Sequence, residues 1–398
     1  MSVGTPFHGR SAPLNRKLQW REWAGFWAAS AYADSWDIEY NAIREQAALI
    51  DVSPLYKYRV EGPDAARLID RVQVRDPAKL AVGQVWYTCW CDEDGKVVDD
   101  GTITRLDDTR YRWTAADPQL RWFRMNARGL DVEIEDVTER TAALALQGPR
   151  ARDVLEQATG EEWGALRYFR ERAASIRGIP VEVTRTGYTG DLGYELWVDA
   201  PRAPDLWDAV ADAGRPFGAR PAGMLALDVA RIEAGLILLE VDYTSARHAL
   251  IPEQAYSPSE IGLGRLVKLD KPGGFVGRRA LRSEQRAGGP PRRLVGLRLD
   301  WPTFERLHTK KGLNPAVPPA AWRTPVPVFS SGGRQVGRAT SGTWSPNLKA
   351  NLALATVEAA FEEPGAELRV EWTVEARRGR VPATVTPLPF LDLERKRA

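Results

Sequence analysis

Residues 185–198 read Arg-Thr-Gly-Tyr-Thr-Gly-Asp-Leu-Gly-Tyr-Glu-Leu-Trp-Val, with glycines three apart at Gly187, Gly190 and Gly193 ahead of an alternating strand. Glycines at that spacing let the backbone turn sharply or pass close to a ligand. In the strand, Tyr194, Leu196 and Val198 share one face, while Glu195 and Trp197 share the other. A carboxylate inside an apolar strand is costly unless something pairs with it. An acid beside an aromatic plane suits a flat heterocycle that offers N–H donors. A decorated hairpin with a solvated Glu195 fits the same residues.

The 398 residues exceed one ordinary core, so two or three domains are expected. The net charge of +2, with basic residues scattered, gives no reason to expect nucleic acid or an anionic membrane as partner. The two cysteines, Cys89 and Cys91, flank Trp90 and share a strand face, a pattern of buried apolar side chains in a reducing compartment. No apolar run reaches membrane-spanning length, and Met1 to Leu14 lacks the apolar core of a signal peptide, so a cytoplasmic protein is expected. Three histidines, His8, His248 and His308, support no metal cluster, and without a G-x-S-x-G motif a serine hydrolase finds no footing.

Around the opening run, residues 20–50 carry helical periodicity, with Trp20, Trp23 and Trp27 at helical spacing. Pro54 then breaks the pattern, and Tyr56, Tyr58 and Val60 alternate as a strand. A short helix is expected over 65–72. Val85 to Cys91 and Lys96 to Leu106 form a hairpin about Asp94-Gly95. Helices are expected from 116 toward 127, at 150–157, 203–213 and 221–235, with strands over 131–147, 174–186 and 194–199. Residues 285–292, Gln-Arg-Ala-Gly-Gly-Pro-Pro-Arg, read as a linker. Beyond them come short strands at 294–299, 326–329, 335–340, 352–357 and 367–374, a small barrel or jelly roll appended to an α+β body.

A second constellation lies in the hairpin, where Asp99 and Asp100 precede Gly101. Aspartate is a poor strand former, and adjacent residues face opposite sides, so at most one of the pair can address a pocket. Gly101 fits a bulge or a close backbone approach. A carboxylate there could hold a cationic amine or relay a proton; a turn with both acids in water fits equally.

These segments together resemble the folate-dependent T-protein (aminomethyltransferase) family of the glycine cleavage system. The resemblance runs from about Tyr40 to the C-terminus. It rests on Ile50-Asp51-Val52-Ser53, Gly95 to Asp100, Ala145-Leu146-Gln147-Gly148-Pro149, Arg185 to Leu196, Arg231-Ile232-Glu233-Ala234-Gly235, Phe275-Val276-Gly277 and Thr340-Ser341-Gly342-Thr343-Trp344-Ser345-Pro346. It implies an α+β fold, a three-domain ring around a central folate channel with a C-terminal small β-barrel. The implied domains are residues 1–51 plus 134–222, 52–133 plus 223–288, and 289–398. It also implies tetrahydrofolate as cofactor, Asp100 as the catalytic carboxylate, Glu195 as the pterin-binding acid, and Tyr188 and Trp90 as channel-lining residues, with no metal.

Leu227 stands where T-proteins carry an Arg, and Ala115 where they carry an Asn. Asp99 to Thr102 and Val267 to Pro272 look more like the folate domains of dimethylglycine and sarcosine dehydrogenases. Trp113 to Asp117 looks more like folate-dependent demethylases. The expected activity is transfer of a methyl or methylene group from an N-, O- or S-linked donor to N5 of tetrahydrofolate. The donor is a small methylated molecule or an aminomethyl-lipoyl carrier protein. The tryptophans Trp20, Trp23, Trp27 and Trp36 either pack a core or shape a quaternary-ammonium site. The alternative is a non-catalytic folate-binding or regulatory protein of the same fold.

Overall fold

In the computed structural model, which describes residues 2–397, the strand Gly193–Asp199 runs inside a six-stranded sheet. It pairs antiparallel with Thr141–Gln147 on one side and Ile179–Thr184 on the other. Its Tyr194, Leu196 and Val198 face is buried against Val154 and Leu155 of the helix Ala151–Thr159 and Leu206 and Trp207 of the helix Ala203–Gly214. Each such side chain contributes roughly 1.5–3 kcal/mol by leaving water, which fixes the register and so the outward aim of Glu195 and Trp197.

A five-stranded sheet takes Gln84–Cys91, Val97–Arg105, Arg110–Ala115, Tyr56–Glu61 and Glu133–Asp136, in that order. The helices Ala65–Val72 and Leu120–Asn126 cover one face, where Trp113 and Phe123 stack with ring centroids 4.1 Å apart. The chain leaves this sheet after Asp136 and joins the six-stranded sheet at Thr141. The third unit is a closed six-stranded barrel built from residues 292–386 around Leu297, Val328, Ala355 and Val381.

Three expectations need correction. Residues 20–50 are not one helix: Trp20–Trp23 and Phe26–Ala29 form a hairpin, and only Trp36–Glu45 is helical before the strand Ala48–Asp51. Ala24 and Gly25, at φ of 50° and 85°, make the turn, and the hairpin carries the tryptophans to different places. Trp20 packs on His8, Trp27 is 39 % exposed, and Trp23 faces a cavity. Trp36 donates its indole N–H to the Pro319 carbonyl. The segment 174–186 is two strands, Glu171–Ile176 and Ile179–Thr184. The barrel has a sixth strand, Arg377–Thr386, whose polar first half hides the buried alternation Val381, Ala383 and Val385.

The glycine run and the other shared motifs interlock. Gln147 stands opposite Gly193, and its buried amide lies over both Gly187 and Gly193. A Cβ at either glycine would come within 3.0 Å of that amide. The amide is pinned: Nε2 donates to the Thr186 and Tyr194 carbonyls at 3.2 and 3.4 Å, and Thr189 donates to Oε1 at 2.8 Å. Gly190, at φ of 73°, receives the methyl of Ala234. Asp191 then pairs with Arg44 at 3.3 Å and Arg395 at 2.7 Å. Glu233 accepts from Tyr40 at 2.6 Å, Arg44 at 2.7 Å and Ser345 of the barrel at 2.5 Å, with no exposure to water. These glycines therefore admit protein groups closely, and the strand behind them is held rigid.

Candidate functional site

A cavity of about 970 Å³ lies where the three units meet. The six-stranded sheet sends Glu195 and Trp197 to its wall, the five-stranded sheet Tyr87 and Asp100, and the barrel Val295 and Val385.

Asp100 and Asp99 divide as strand alternation requires. Asp100 pairs across the hairpin with Cys89 and faces the cavity. Its Oδ2 accepts from Tyr87 at 2.8 Å, and its Oδ1 accepts from Tyr243. Burial pushes this carboxyl above the usual range, and the two hydroxyl donors pull it back by favouring the ionised form. Burial and the Asp100 charge hold both tyrosines protonated far into alkali, so they remain donors. Asp99 is fully buried and accepts from the Asp100, Asp117 and Gln119 N–H groups. Burial, then the neighbouring Asp100, pushes it well up. At Gly101 a side chain would run into the Thr114 carbonyl, so a close approach between strands explains this glycine.

The barrel steadies this arrangement. Thr340 and Ser341 donate to Asp242 at 2.7 and 2.6 Å, and Arg231 pairs with Asp242 at 2.5 Å. Asp242 precedes Tyr243, so the loop that clamps Asp100 is tied to two of the shared motifs.

Glu195 meets the cavity from the facing sheet. Its Oε2 accepts from Thr186 at 2.6 Å and from Thr184 at 3.4 Å. Burial raises its carboxyl; the threonine hydroxyls and the Arg112 charge oppose that. Trp197 is locked beside it: its indole donates to Thr184 at 3.0 Å, and the Arg112 guanidinium lies 4.1 Å from its ring. The acid next to an aromatic plane is therefore present, with the acid paired rather than solvated.

Tyr188 lines the same cavity and donates its hydroxyl to the Ile237 carbonyl. Trp90 does not line it. Trp90 pairs with Asp99, on the face away from Asp100, and lies fully buried against Trp113 and Phe123. Its expected channel role is withdrawn on that alternation. Leu227 and Ala115, the two departures from the T-protein pattern, both line the cavity. Tyr87 and Tyr243 were not foreseen. Counting the hairpin register back from Asp94-Gly95 places Tyr87 on the Asp100 face, whereas Tyr243 lies 143 residues from Asp100 in a loop without periodic pattern.

Two sheets and a closed barrel enclosing one acid-bearing cavity define a multidomain protein of mixed helix and sheet, built around a ligand site. Residues 9–271 match the GCVT N-terminal domain, and residues 292–392 match the glycine cleavage T-protein C-terminal barrel domain. The chain belongs to the glycine cleavage T-protein family. The aminomethyltransferase of Geobacillus thermodenitrificans is 36 % identical over 371 residues, 92 % of this chain and 93 % of that one. That of Moorella thermoacetica is 34 % identical over 397 residues, 98 % of each chain. The trimethylamine-oxide aldolase of Ruegeria pomeroyi is 35 % identical over 410 residues, and the chain spans only 48 % of its length. Among solved structures, glycine cleavage system aminomethyltransferase T from Bartonella henselae has a TM-score of 0.82 at 24 % identity, covering 98 % of this chain and 99 % of that one, a likeness of fold. Among the described residues no helix is long and apolar enough to cross a membrane.

Proposed function

We propose that the chain is a tetrahydrofolate-dependent one-carbon transferase, moving a methyl or methylene group from an N-, O- or S-linked donor to N5 of tetrahydrofolate. The observation that carries this reading is that Glu195 and Asp100, on facing sheets, open into one cavity, the second clamped by two tyrosines. The residues present suit a reduced folate. The volume, about 970 Å³, is that of a cofactor-sized pocket. Glu195 beside Trp197 offers an acceptor for paired pterin N–H groups, a charge-assisted bond of roughly 1.5–3 kcal/mol. Arg265, Lys396 and Arg397, also on the wall, suit the carboxylates of a glutamate tail. Bound tetrahydrofolate would supply N5 as the acceptor of the carbon.

The chain itself contributes orientation and a fixed negative charge. Asp100 holds a cationic donor and stabilises positive charge as the carbon moves, without reorganising, because its oxygens are already hydrogen-bonded. Tyr188 borders the same space. The aminomethyltransferase names of the relatives support an aminomethyl-lipoyl carrier protein as donor; the apolar Leu227 and Ala115 on the wall favour a free methylated molecule. Those two residues also keep open a non-catalytic folate-binding protein. Asp100→Asn separates the readings. A transferase keeps folate affinity and loses turnover on the order of 100-fold or more. A wild-type protein without turnover on any N-, O- or S-methyl or aminomethyl-lipoyl donor, or a variant with undiminished turnover, overturns the catalytic assignment.

A further inference from the structure

One part of the cavity wall carries charge that the folate reading leaves unused. Arg21 reaches it from the N-terminal hairpin, and Arg323 from the segment ahead of the barrel strand Val326–Ser330. Both converge on Asp228 of the helix Met224–Glu233, a carboxylate with 2 % exposure. Arg323 Nε and Nη2 lie 2.7 and 2.6 Å from Asp228 Oδ2, and Arg21 Nη1 lies 3.6 Å from the same oxygen. Asp228 Oδ1 is taken by Arg231, which Asp242 neutralises from its other side. One carboxylate thus serves two guanidinium groups on the wall. Arg21 Nη1 is buried without a hydrogen-bond acceptor among the described residues.

The other acids on the wall are engaged elsewhere. Glu22 is exposed and accepts from the Gly25 N–H at 2.7 Å. Asp100 holds its tyrosines, Glu195 its threonines, and Glu362 pairs with Arg293 at 2.9 Å. Asp117 and Glu240 flank His248 at 3.3 and 3.0 Å. Trp23, Met224, Leu227 and Ala115 give the same wall apolar surface. A surplus guanidinium charge in such surroundings has one natural partner, a planar anion taken on fixed N–H donors.

We infer that, on the one-carbon transfer reading above, the donor is a small zwitterion: a methylated amine or sulfonium that carries its own carboxylate. The carboxylate docks on Arg21 and Arg323, and the cationic methyl-bearing atom faces Asp100. The arginine pair and Asp100 line the same cavity, a positive and a negative group for the two charges of such a donor. An aminomethyl-lipoyl arm, an amine on an amide-linked chain, brings no carboxylate to the arginine pair.

The test is a calorimetric titration of the full chain, with and without tetrahydrofolate, using N,N-dimethylglycine and dimethylsulfoniopropionate, each against its methyl ester. At least one acid is expected to bind, with its ester at least 10-fold weaker. Arg21→Met is expected to weaken that acid at least 10-fold while leaving tetrahydrofolate affinity and the melting temperature unchanged, and Arg21→Lys to recover part of the loss. Esters that bind as well as acids, acid affinity indifferent to Arg21→Met, or no acid binding at all overturns the inference. Tetrahydrofolate affinity is read separately on the same samples. A protein that binds folate but no acid loses only this inference; one that binds acids but no folate loses the folate reading instead.

Discussion

Gly193→Ala places a methyl group against the Gln147 amide, directly across the strand pair that carries Glu195. The far end of a glutamine ordinarily gives way at little cost, but this one cannot. It is fully buried, and its two ends make hydrogen bonds to Thr186, Tyr194 and Thr189. Moving it breaks at least two of these in a buried site, at about 1–3 kcal/mol for each buried group left unpaired. We expect Gly193→Ala to destabilise by about 3 kcal/mol, lowering Tm by about 4 °C if the 398 residues unfold together. Gln147→Ala alone loses the same hydrogen bonds and leaves a small cavity, at about 2–3 kcal/mol. In the double variant the new methyl group occupies the vacated space, so the two costs do not add. Denaturant unfolding of the four proteins should give a coupling of about 2 kcal/mol or more between the sites. Additivity within about 0.5 kcal/mol would refute the reasoning, because it would mean that the glycine is required for something other than Gln147.

Tyr243→Phe removes a donor that favours the ionised Asp100, so that carboxyl rises further. The acid limb of the kcat/KM profile should move to higher pH, and a limb that stays or moves down contradicts the clamp. Lys57 is buried, donates to the Ser53 and Leu55 carbonyls, and is pushed by burial down to about 7. Between that pH and the ordinary lysine range the unfolded chain holds a proton the native chain has lost, so stability rises with pH. Unfolding free energies measured across the window should show Lys57→Met lacking a slope of up to about 1.4 kcal/mol per pH unit that the wild type has; parallel curves would contradict this. Glu195→Gln should keep Tm within a few degrees, as followed by circular dichroism, because its side chain faces the cavity rather than the core.

Much of the body is legible locally. The helix Ala65–Val72 and the strand Tyr56–Glu61 follow their apolar periods, and Asp94-Gly95 sets the hairpin that carries Asp100. The Asp99-Asp100 pair and Glu195 stand out for the same reason, as carboxylates in strands where solvation is dear, and the choice of Asp100 within the pair rests on the family resemblance. What escaped depends on distant partners. The tryptophans of residues 20–27 mimic a helical stripe, and only the Ala24-Gly25 turn and the pairing of Trp23 with Phe26 make them a hairpin. The helix Arg278–Arg286 buries only Leu281, too little for a periodic signal. Trp90 is a channel residue only by the family resemblance, and the strand's two-residue period puts it on the face away from Asp100. Arg21 and Arg323 sit about 300 residues apart and meet only through Asp228.

The central claim is that reduced folate rests its pterin against Glu195. Titration of tetrahydrofolate into the wild-type protein should release heat and raise Tm, and Glu195→Gln should weaken the isotherm by roughly 10- to 100-fold. A wild-type protein that yields neither heat nor thermal protection at saturating tetrahydrofolate, or a Glu195→Gln variant that binds it as tightly, would contradict the account.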